Sequence, residues 1–369
     1  MHYTWLATAS FGLEGLVKNE LRQLELPAKA EMGCVRFEAT TEDAYRANLW
    51  LRCADRVLLL VGEENVTTFD ALFDAVYRMP WHKFLPKDAR VLVSGKCARS
   101  QLMSVRDCQS ITKKAIIEKL KTGHNIKSCS EIGQEYKVDV SLHGDRARIT
   151  LDSSGDALNK RGYRTYNGAA PLRETLASAL VFLSPWHKKM PFHDPCCGTG
   201  TLVIEAAMRM ANRAPGLNRP FAMEKWGFVE RNVLPQIRKE AKDMYDPSLI
   251  KDISGSDIDP KALQLAKKHV QQAGLEGKVK LFEKDLRTLQ LDNEQAPCFV
   301  LNPPYGERLS DVKSCELLYR DLHALRDRHP ASRLCVLTSH QGFERCYRGR
   351  ATQKKRYYNG RLECEYLIY

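Results

Sequence analysis

Between residues 192 and 338, short apolar strands alternate with helices that carry an apolar stripe. Several of the strands end in polar residues, among them Asp194, Asp257 and Asn302. Alternation of this kind predicts a doubly wound α/β domain, in which a mostly parallel sheet has helices on both faces. Near the end of the chain, Asn359-Gly360 is a favoured two-residue turn and predicts a closing antiparallel hairpin. We therefore expect residues 156–369 to form one such domain.

The first 155 residues follow a different pattern and predict two smaller modules. At 369 residues the chain is too long for one ordinary core and suits two or three domains. Residues 1–55 combine strand-like stretches with an amphipathic helix and predict a small α+β segment. Residues 56–155 contain further strand and helix signals and end in two strands around the turn-prone His143-Gly144-Asp145. We expect a compact α/β accessory module there.

Composition limits the class of protein and its partners. The net charge of +12 suits a polyanionic partner, since Lys and Arg contacts to phosphate dominate nucleic-acid affinity, but charge alone does not identify that partner. No apolar run approaches the ~20 residues that cross a bilayer, and the start lacks a secretory signal pattern, so we expect a cytoplasmic location. The 12 cysteines are scattered without a Cys-x-x-Cys pair, and no metal site is expected.

A glycine-rich loop follows the first strand of the α/β domain. Gly198 and Gly200 stand between this strand and a helix, so a ligand can press against bare backbone there. The loop lacks both the full Gly-x-Gly-x-x-Gly/Ala pattern and a Gly-Lys-Ser/Thr ending, which disfavours phosphate binding. Asp194 is instead suited to accept hydrogen bonds from an ammonium group, such as that of S-adenosylmethionine (SAM). The predicted cofactor-binding residues of this loop are Asp194, Cys196, Gly198 and Gly200.

Two further strand ends carry acidic residues that extend the predicted cofactor site. Asp257 ends the second strand, where a carboxylate can hold ribose hydroxyls, and Ile258 follows it in the same predicted site. Asp259 is better placed as the N-cap of the next helix. Asp285 ends the third strand and is a candidate acceptor for the adenine amine. For Asp257 to lie beside the glycine loop, an insertion at about 211–249 must be looped out.

The fourth strand runs into Asn302-Pro303-Pro304-Tyr305, which predicts a site for an amine. Two successive prolines fix the backbone and donate no hydrogen bonds, so the carbonyl groups point in a set direction. The Asn302 side-chain oxygen and the Pro303 carbonyl can both accept from one NH2 group and turn its nitrogen toward a methyl sulfonium. Tyr305 offers a flat face on which an extruded base can stack. We predict that Asn302, Pro303 and Tyr305 are catalytic and that Asn302 also touches the cofactor.

Taken together, these motifs resemble a known family. The stretches that carry the resemblance are Ala7–Glu14, Lys160–Arg164, Ala170–Ala177, Asp194–Thr201, Gly255–Pro260 and Asn302–Arg308. They are similar to the motifs of THUMP-domain class I methyltransferases, and most similar to those of the large-subunit ribosomal RNA guanine-N2 methyltransferases. The resemblance covers nearly the whole chain, including an insertion around 213–217.

The resemblance implies a fold and an activity. It implies a ferredoxin-like segment at 1–55, a THUMP module at 56–155 that captures RNA, and a Rossmann-like domain at 156–369 that binds SAM. The implied reaction is methylation of guanine N2 in 23S ribosomal RNA. Transfer RNA is the closest alternative substrate, because THUMP modules also occur on transfer-RNA enzymes. More distant alternatives are adenine N6 in DNA, a glutamine amide in a protein, and an RNA-binding chaperone without catalysis.

Overall fold

The computed structural model describes residues 1–164, 172–291, 295–305, 309–360 and 362–369. The chain divides into two compact units. The first unit comprises Met1–Ala9, Val17–Leu158 and Pro220–Lys239, and the second comprises Ser10–Leu16, Asn159–Arg219 and Glu240–Tyr369. Within the described ranges, no helix is long and apolar enough to cross a membrane.

A single seven-stranded sheet runs through the first unit. The elements up to residue 152 are β1 (Tyr3–Thr8), α1 (Glu14–Gln23), β2 (Ala28–Glu31), β3 (Cys34–Ala39), α2 (Thr41–Trp50), β4 (Arg56–Asn65), α3 (Phe69–Arg78), α4 (Trp81–Phe84), β5 (Arg90–Ala98), α5 (Val105–His124), β6 (Glu135–His143) and β7 (Arg146–Asp152). The strand order is β2-β3-β1-β4-β7-β6-β5. Because β4 pairs with both β1 and β7, it joins the N-terminal segment to the accessory module through backbone hydrogen bonds.

Local sequence explains several of these elements. Ser104 caps α5 by accepting a hydrogen bond from the Asp107 amide, and Asn125 ends this helix in the left-handed conformation that asparagine tolerates. Thr68 caps α3 in the same way. Strand β6 alternates exposed and buried side chains, as expected for a strand with one face on the core.

The second unit is built on another seven-stranded sheet. The remaining elements of the chain are α6 (Glu174–Leu183), β8 (Phe192–Asp194), α7 (Thr201–Met210), α8 (Leu234–Asp243), β9 (Ile253–Asp257), α9 (Pro260–Gln272), β10 (Lys280–Glu283), β11 (Cys298–Leu301), α10 (Leu309–Arg328), β12 (Arg333–Thr338), α11 (Phe343–Tyr347), β13 (Gln353–Asn359) and β14 (Leu362–Ile368). The strand order is β10-β9-β8-β11-β12-β14-β13. Strands β8 to β12 pair in parallel, whereas β14 and β13 form an antiparallel hairpin at one edge. The predicted Rossmann-like sheet with a closing hairpin is therefore confirmed.

This sheet order determines where the predicted site residues lie. Strand β8 is flanked by β9 on one side and β11 on the other. Since all three strands are parallel, their carboxyl ends meet at one edge of the sheet. Asp194, Asp257 and Asn302 end or follow these three strands, and so they lie at neighbouring positions along that edge.

Part of the insertion between α7 and β9 folds with the first unit. Residues Pro220–Lys239 belong to that unit, where the Met223 amide donates to the Ser153 carbonyl at 3.0 Å. The Glu224 carboxylate accepts from the hydroxyl of Tyr45 at 3.0 Å and pairs with Arg238 at 2.7 Å. Residues 220–239 of the insertion are therefore an integral part of the first unit.

Candidate active site

A cleft of about 370 Å³ lies at the carboxyl ends of β8 and β11 in the second unit. Four of the predicted site residues line it together, namely Asp194, Cys196, Gly198 and Asn302. The predicted residues that do not line it are Gly200, Asp257, Ile258, Asp285, Pro303 and Tyr305. The cleft therefore joins part of the predicted cofactor site to the predicted amine site in one cavity.

The two glycines of the loop serve different purposes. Gly198 has a φ of +52°, and a Cβ added there would meet no atom within 4 Å, so the space beside it is open to a ligand. Gly200 has a φ of +84° at the start of α7, and an added Cβ would lie 3.2 Å from the Cβ of Ala266 in α9. Gly198 thus leaves room at the cleft, whereas Gly200 lets the loop pack closely against a neighbouring helix.

Asp194 places a buried carboxylate in the wall of the cleft. Its side chain is nearly inaccessible to solvent and accepts a hydrogen bond from the Cys196 amide at 3.0 Å. Burial raises the pKa of Asp194 well above its usual range, and although the Cys196 amide opposes this shift, the negative charge of Asp257 adds to it. A cation beside Asp194 would favour the ionised form, which is the behaviour expected of an ammonium-binding carboxylate.

Asp257 is bound directly to the glycine loop. One of its carboxylate oxygens accepts from the Gly198 amide at 2.7 Å, and the other accepts from the Asp259 amide at 2.9 Å. Asp259 itself caps α9 by accepting from the Lys261 amide at 2.9 Å, as the sequence suggests. The insertion therefore does not prevent Asp257 from lying beside the loop, although its carboxylate faces the Gly198 amide and does not line the cleft.

Asp285 and Ile258 lie outside the cleft wall. The Asp285 carboxylate accepts from the backbone amide of Arg287 at 2.9 Å and from its guanidinium at 2.8 Å. These contacts, led by the side-chain hydrogen bond, lower the pKa of Asp285. Ile258 is 61% exposed, which is unusual for a large apolar side chain. For Asp285 to accept from an adenine amine, the exposed Arg287 side chain has to share this carboxylate or move away.

Tyr305 holds the side chain of Asn302. Its hydroxyl donates to the Asn302 side-chain oxygen, and the Tyr319 hydroxyl of α10 donates to the Pro304 carbonyl at 2.9 Å. Burial raises the pKa of Tyr305, so its hydroxyl is a neutral donor. The oxygen predicted to receive the substrate amine thus already accepts one hydrogen bond, and the base amine has to share this oxygen with Tyr305 or displace the Tyr305 hydroxyl.

Some residues named in the sequence fall outside the described part of the chain. Two of them are Glu307 and Arg308, which the sequence offers as an ion pair that braces the Asn-Pro-Pro-Tyr loop. Two others are Ala170 and Pro171.

Sequence reasoning gave Gly255 no role, although it is essential to the packing around the loop. A Cβ at this position in β9 would lie 2.7 Å from Val203 Cγ2 and 2.9 Å from Cys197 Cβ, which real structures do not tolerate. Glycine at this site lets β9 approach α7 and the loop. A glycine inside a strand often marks close backbone approach, and this signal was available in the sequence.

His193 is a second residue that the sequence did not single out. Its ring nitrogens hydrogen-bond to the hydroxyls of Ser254 at 2.8 Å and Ser256 at 3.0 Å, both in β9. Burial lowers the pKa of His193 to about 3, with a smaller contribution from the charge of His329, so the ring is neutral. His193 therefore ties β8 to β9 directly before Asp194.

The basic stretch 159–164, which precedes α6, places two of its arginines in ion pairs. The Arg161 guanidinium lies 3.6 Å from Glu205 of α7, and both side chains are almost fully buried. Tyr163 donates to the same carboxylate at 3.0 Å. Arg164 pairs with Glu174 at 3.3 Å. These charged side chains are therefore paired within the second unit.

Family models match three consecutive parts of the chain. Residues 4–58 match the RlmL ferredoxin-like domain, residues 66–152 match the THUMP domain, and residues 161–368 match the RMKL-like methyltransferase domain. The last match alone covers more than half of the chain.

Named relatives agree with these models. The Bacillus subtilis protein YpsC, named for RNA methyltransferase activity, is 41% identical over 100% of this chain and 96% of its own length. The ribosomal RNA large subunit methyltransferases K/L of Syntrophotalea carbinolica and Pseudomonas entomophila are each 32% identical over 98% of this chain. The chain spans about half of their lengths, 53% and 51% respectively.

Solved structures share the whole architecture. SMU.472, solved with S-adenosylhomocysteine (SAH), is 38% identical with a TM-score of 0.95, over 100% of this chain and 98% of that one. A Listeria monocytogenes protein described as a predicted N6-adenine-specific DNA methylase is 40% identical with a TM-score of 0.95, over 100% and 96%. TrmN from Thermus thermophilus, at 19% identity and a TM-score of 0.70 over 99% of each chain, shows the same fold. The chain therefore belongs to the RMKL-like methyltransferase family, carries ferredoxin-like and THUMP domains, and uses SAM as its cofactor.

Proposed function

We propose that this protein methylates an exocyclic amine of an RNA base, with guanine N2 of 23S ribosomal RNA as the target. The observation that carries the proposal is that Asn302 lines the same cleft as Asp194 and Gly198. A cofactor pocket and an amine acceptor in one cavity are what transfer from a sulfonium to a nitrogen requires, because the reacting atoms must approach within about 3–3.5 Å.

We call the side of the cleft formed by Asp194, Cys196 and Gly198 the cofactor wall, and it has groups that can hold SAM. Asp194 offers a buried carboxylate to the ammonium of the methionine part, and the open space at Gly198 leaves backbone accessible. Asp257 is assigned to the ribose hydroxyls and Asp285 to the adenine amine, with Ile258 in the same predicted site. These three residues lie beside the cleft and not in its wall. When bound, SAM supplies a methyl group activated by a positively charged sulfur.

We call the side formed by Asn302, Pro303 and Tyr305 the amine wall, and it orients the nucleophile. The Asn302 side-chain oxygen and the Pro303 carbonyl accept the two N–H groups of the base amine and direct the nitrogen lone pair away from them. Such hydrogen bonds favour a more tetrahedral nitrogen, whose electrons are less delocalised into the ring. The Tyr319 hydroxyl fixes the adjoining Pro304 carbonyl and so limits movement of this corner. After transfer the nitrogen carries a positive charge and an acidic proton, which passes to solvent water, so Asn302 and Pro303 act as hydrogen-bond acceptors and no strong base is needed.

The choice of RNA rests on the accessory domains and on the names of relatives. The THUMP match at 66–152 and the K/L relatives both support RNA as the substrate. Guanine N2 of transfer RNA stays the closest alternative target, and adenine N6 of DNA, which the description of the Listeria monocytogenes protein names, is a more distant one.

Mass spectrometry of digested RNA from cells with and without the gene tests this proposal. We expect N2-methylguanosine at one site of 23S RNA to disappear on deletion and to return with the wild-type gene. Loss of a methylguanosine from transfer RNA alone would make transfer RNA the target in place of 23S RNA. Unchanged nucleosides in both RNAs, together with loss of N6-methyladenine from DNA, would contradict the proposal.

A further inference from the structure

A second cleft, of about 460 Å³, is lined by residues of the first unit alone. Its walls come from three parts of the chain: the stretch from His82 to Asp88, the region of His124 to Tyr136, and the stretch from Lys225 to Arg231 of the insertion. We call it the insertion cleft. Because one wall comes from the insertion, the cleft does not belong to the THUMP match at 66–152 alone.

The insertion cleft is rich in positive charge. Lys83, Lys225 and Arg231 line it and are all exposed, while Asp88 is the single carboxylate among its lining residues. Within the described chain, none of these three cations forms an ion pair with a carboxylate. Cations that are not paired with a carboxylate are suited to neutralise phosphates, and release of counterions from the nucleic acid then favours binding.

Aromatic rings form another part of the same cleft. Phe84 and Phe228 line it, and their ring centroids lie 5.2 Å apart in an edge-to-face arrangement. Trp226 stacks on Phe228 at 5.3 Å and holds that ring from behind. Cations interleaved with half-exposed aromatic rings are typical of surfaces that track a nucleic-acid backbone and stack its bases.

The insertion holds its cations on a firmly anchored backbone. Glu224, directly before Lys225, is fixed by hydrogen bonds and an ion pair to Tyr45 and Arg238. The Arg231 guanidinium also donates to the Lys225 carbonyl, which closes the turn between them. The cleft is thus formed before a ligand arrives, which lowers the entropy lost on binding.

We propose that the insertion cleft binds a phosphate-bearing stretch of the RNA substrate. This inference rests on the proposed function, because it takes RNA to be the substrate of the catalytic unit. It assigns an RNA-binding role to residues 225–231, which lie inside the sequence of the methyltransferase match and far from the THUMP match in the chain.

The test compares a triple variant of the full chain with a matched control. Lys83→Ala, Lys225→Ala and Arg231→Ala are combined, and Lys127→Ala removes one exposed cation of the same unit that does not line the cleft. Binding to a 23S RNA transcript is measured over a range of salt concentrations. We expect the triple variant to lose affinity at least about tenfold at low salt and its salt slope to fall by about 2, as for loss of two to three phosphate contacts. The control should bind as wild type, and SAM affinity should be unchanged in both proteins.

The outcomes separate this inference from the proposed function. Unchanged RNA affinity in the triple variant, or a loss in Lys127→Ala as large as that of the triple variant, would overturn the cleft assignment while wild-type RNA methylation continued. Micromolar binding of inorganic phosphate or guanosine monophosphate to the wild-type cleft, lost in the triple variant, would also overturn it by reassigning the cleft to a small phosphate compound. If wild-type protein methylates no RNA, the proposed function itself fails.

Discussion

The two walls of the catalytic cleft are held in different ways. Beside the cofactor wall, the Gly198 amide donates to the Asp257 carboxylate at 2.7 Å. On the amine wall, the Tyr305 hydroxyl donates to the neutral side-chain oxygen of Asn302. A hydrogen bond to a carboxylate is roughly twice as strong as one between neutral groups, so the Tyr305 hydroxyl is released more readily than the Gly198 amide. We infer that the cofactor wall is preformed and that the amine wall opens when a base enters.

The largest effect is expected on the amine wall. Asn302→Ala removes the oxygen that we propose orients the nucleophile and should lower kcat by about 1000-fold, as loss of one well-placed transition-state hydrogen bond does. SAM affinity, measured by calorimetry, should remain, because Asp194 and Gly198 are untouched. Asn19→Ala, at an exposed position of α1, is the control and should retain full activity. Wild-type turnover in Asn302→Ala would disprove its role.

The next effect is expected on the cofactor wall. Asp194→Asn should weaken SAM binding by about 100-fold, the usual scale for losing one partner of a buried charged contact. Because burial raises the pKa of Asp194 in the folded protein, the wild-type protein loses stability from this group as pH rises above the ordinary carboxyl range. The cofactor-free Asn variant should therefore melt higher than wild type at pH 8, with a smaller difference at pH 5. If the melting temperatures of variant and wild type differed by the same amount at both pH values, this would contradict a buried carboxylate whose ionisation destabilises the fold.

Two glycine substitutions, one in a crowded position and one in an open position, test whether the cofactor wall depends on close packing. Gly255→Ala should destabilise the protein by about 2 kcal/mol, because its Cβ would lie 2.7 Å from Val203 and overpacking has this cost. Gly15→Ala, on α1 with no atom within 4 Å of the added Cβ, should instead stabilise by about 0.5–1 kcal/mol. Thermal unfolding measures both. Equal melting temperatures for Gly255→Ala and wild type would show that the wall can relax.

The smallest effect is expected at the tyrosine that holds the amine wall. Tyr305→Phe keeps a ring for stacking and frees the Asn302 oxygen, so kcat/KM for RNA should rise by about threefold, the scale of one neutral hydrogen bond. Steady-state kinetics with wild type and variant measure this. A fall of about 100-fold or more would mean that the hydroxyl acts on the substrate and that the two walls do not differ as described.

The sequence was sufficient to predict the features that follow from strand order. Asp194 and Asn302 end or follow neighbouring parallel strands, so the alternating pattern alone places them at one edge of the sheet. The Rossmann-like fold, the SAM cofactor and the closing hairpin are confirmed. Asn359 still pairs with Leu362, however, so the turn begins at Gly360, whose φ is +65°, and not at Asn359. The roles of the individual site residues and the domain borders at 55 and 155 stay predictions.

Features that depend on contacts between distant segments were not predictable. The hydroxyl of Tyr305 could equally have faced solvent, and nothing in the local sequence indicates that it bonds to Asn302. The insertion gives no sequence signal that Pro220–Lys239 folds with the first unit, because its partners Tyr45 and Ser153 lie far away in the chain. Burial of Arg161 against Glu205 is equally hidden, since basic connectors are more often exposed.

The most direct measurement follows the methyl group itself. Purified protein is incubated with SAM carrying a deuterated methyl and with 23S RNA from cells that lack the gene, and the digested nucleosides are analysed by mass spectrometry. A shared cleft for a sulfonium and a base amine predicts the label on the exocyclic nitrogen of a single guanosine. Label on a ring carbon, on a ribose hydroxyl or on no nucleoside at all would contradict it.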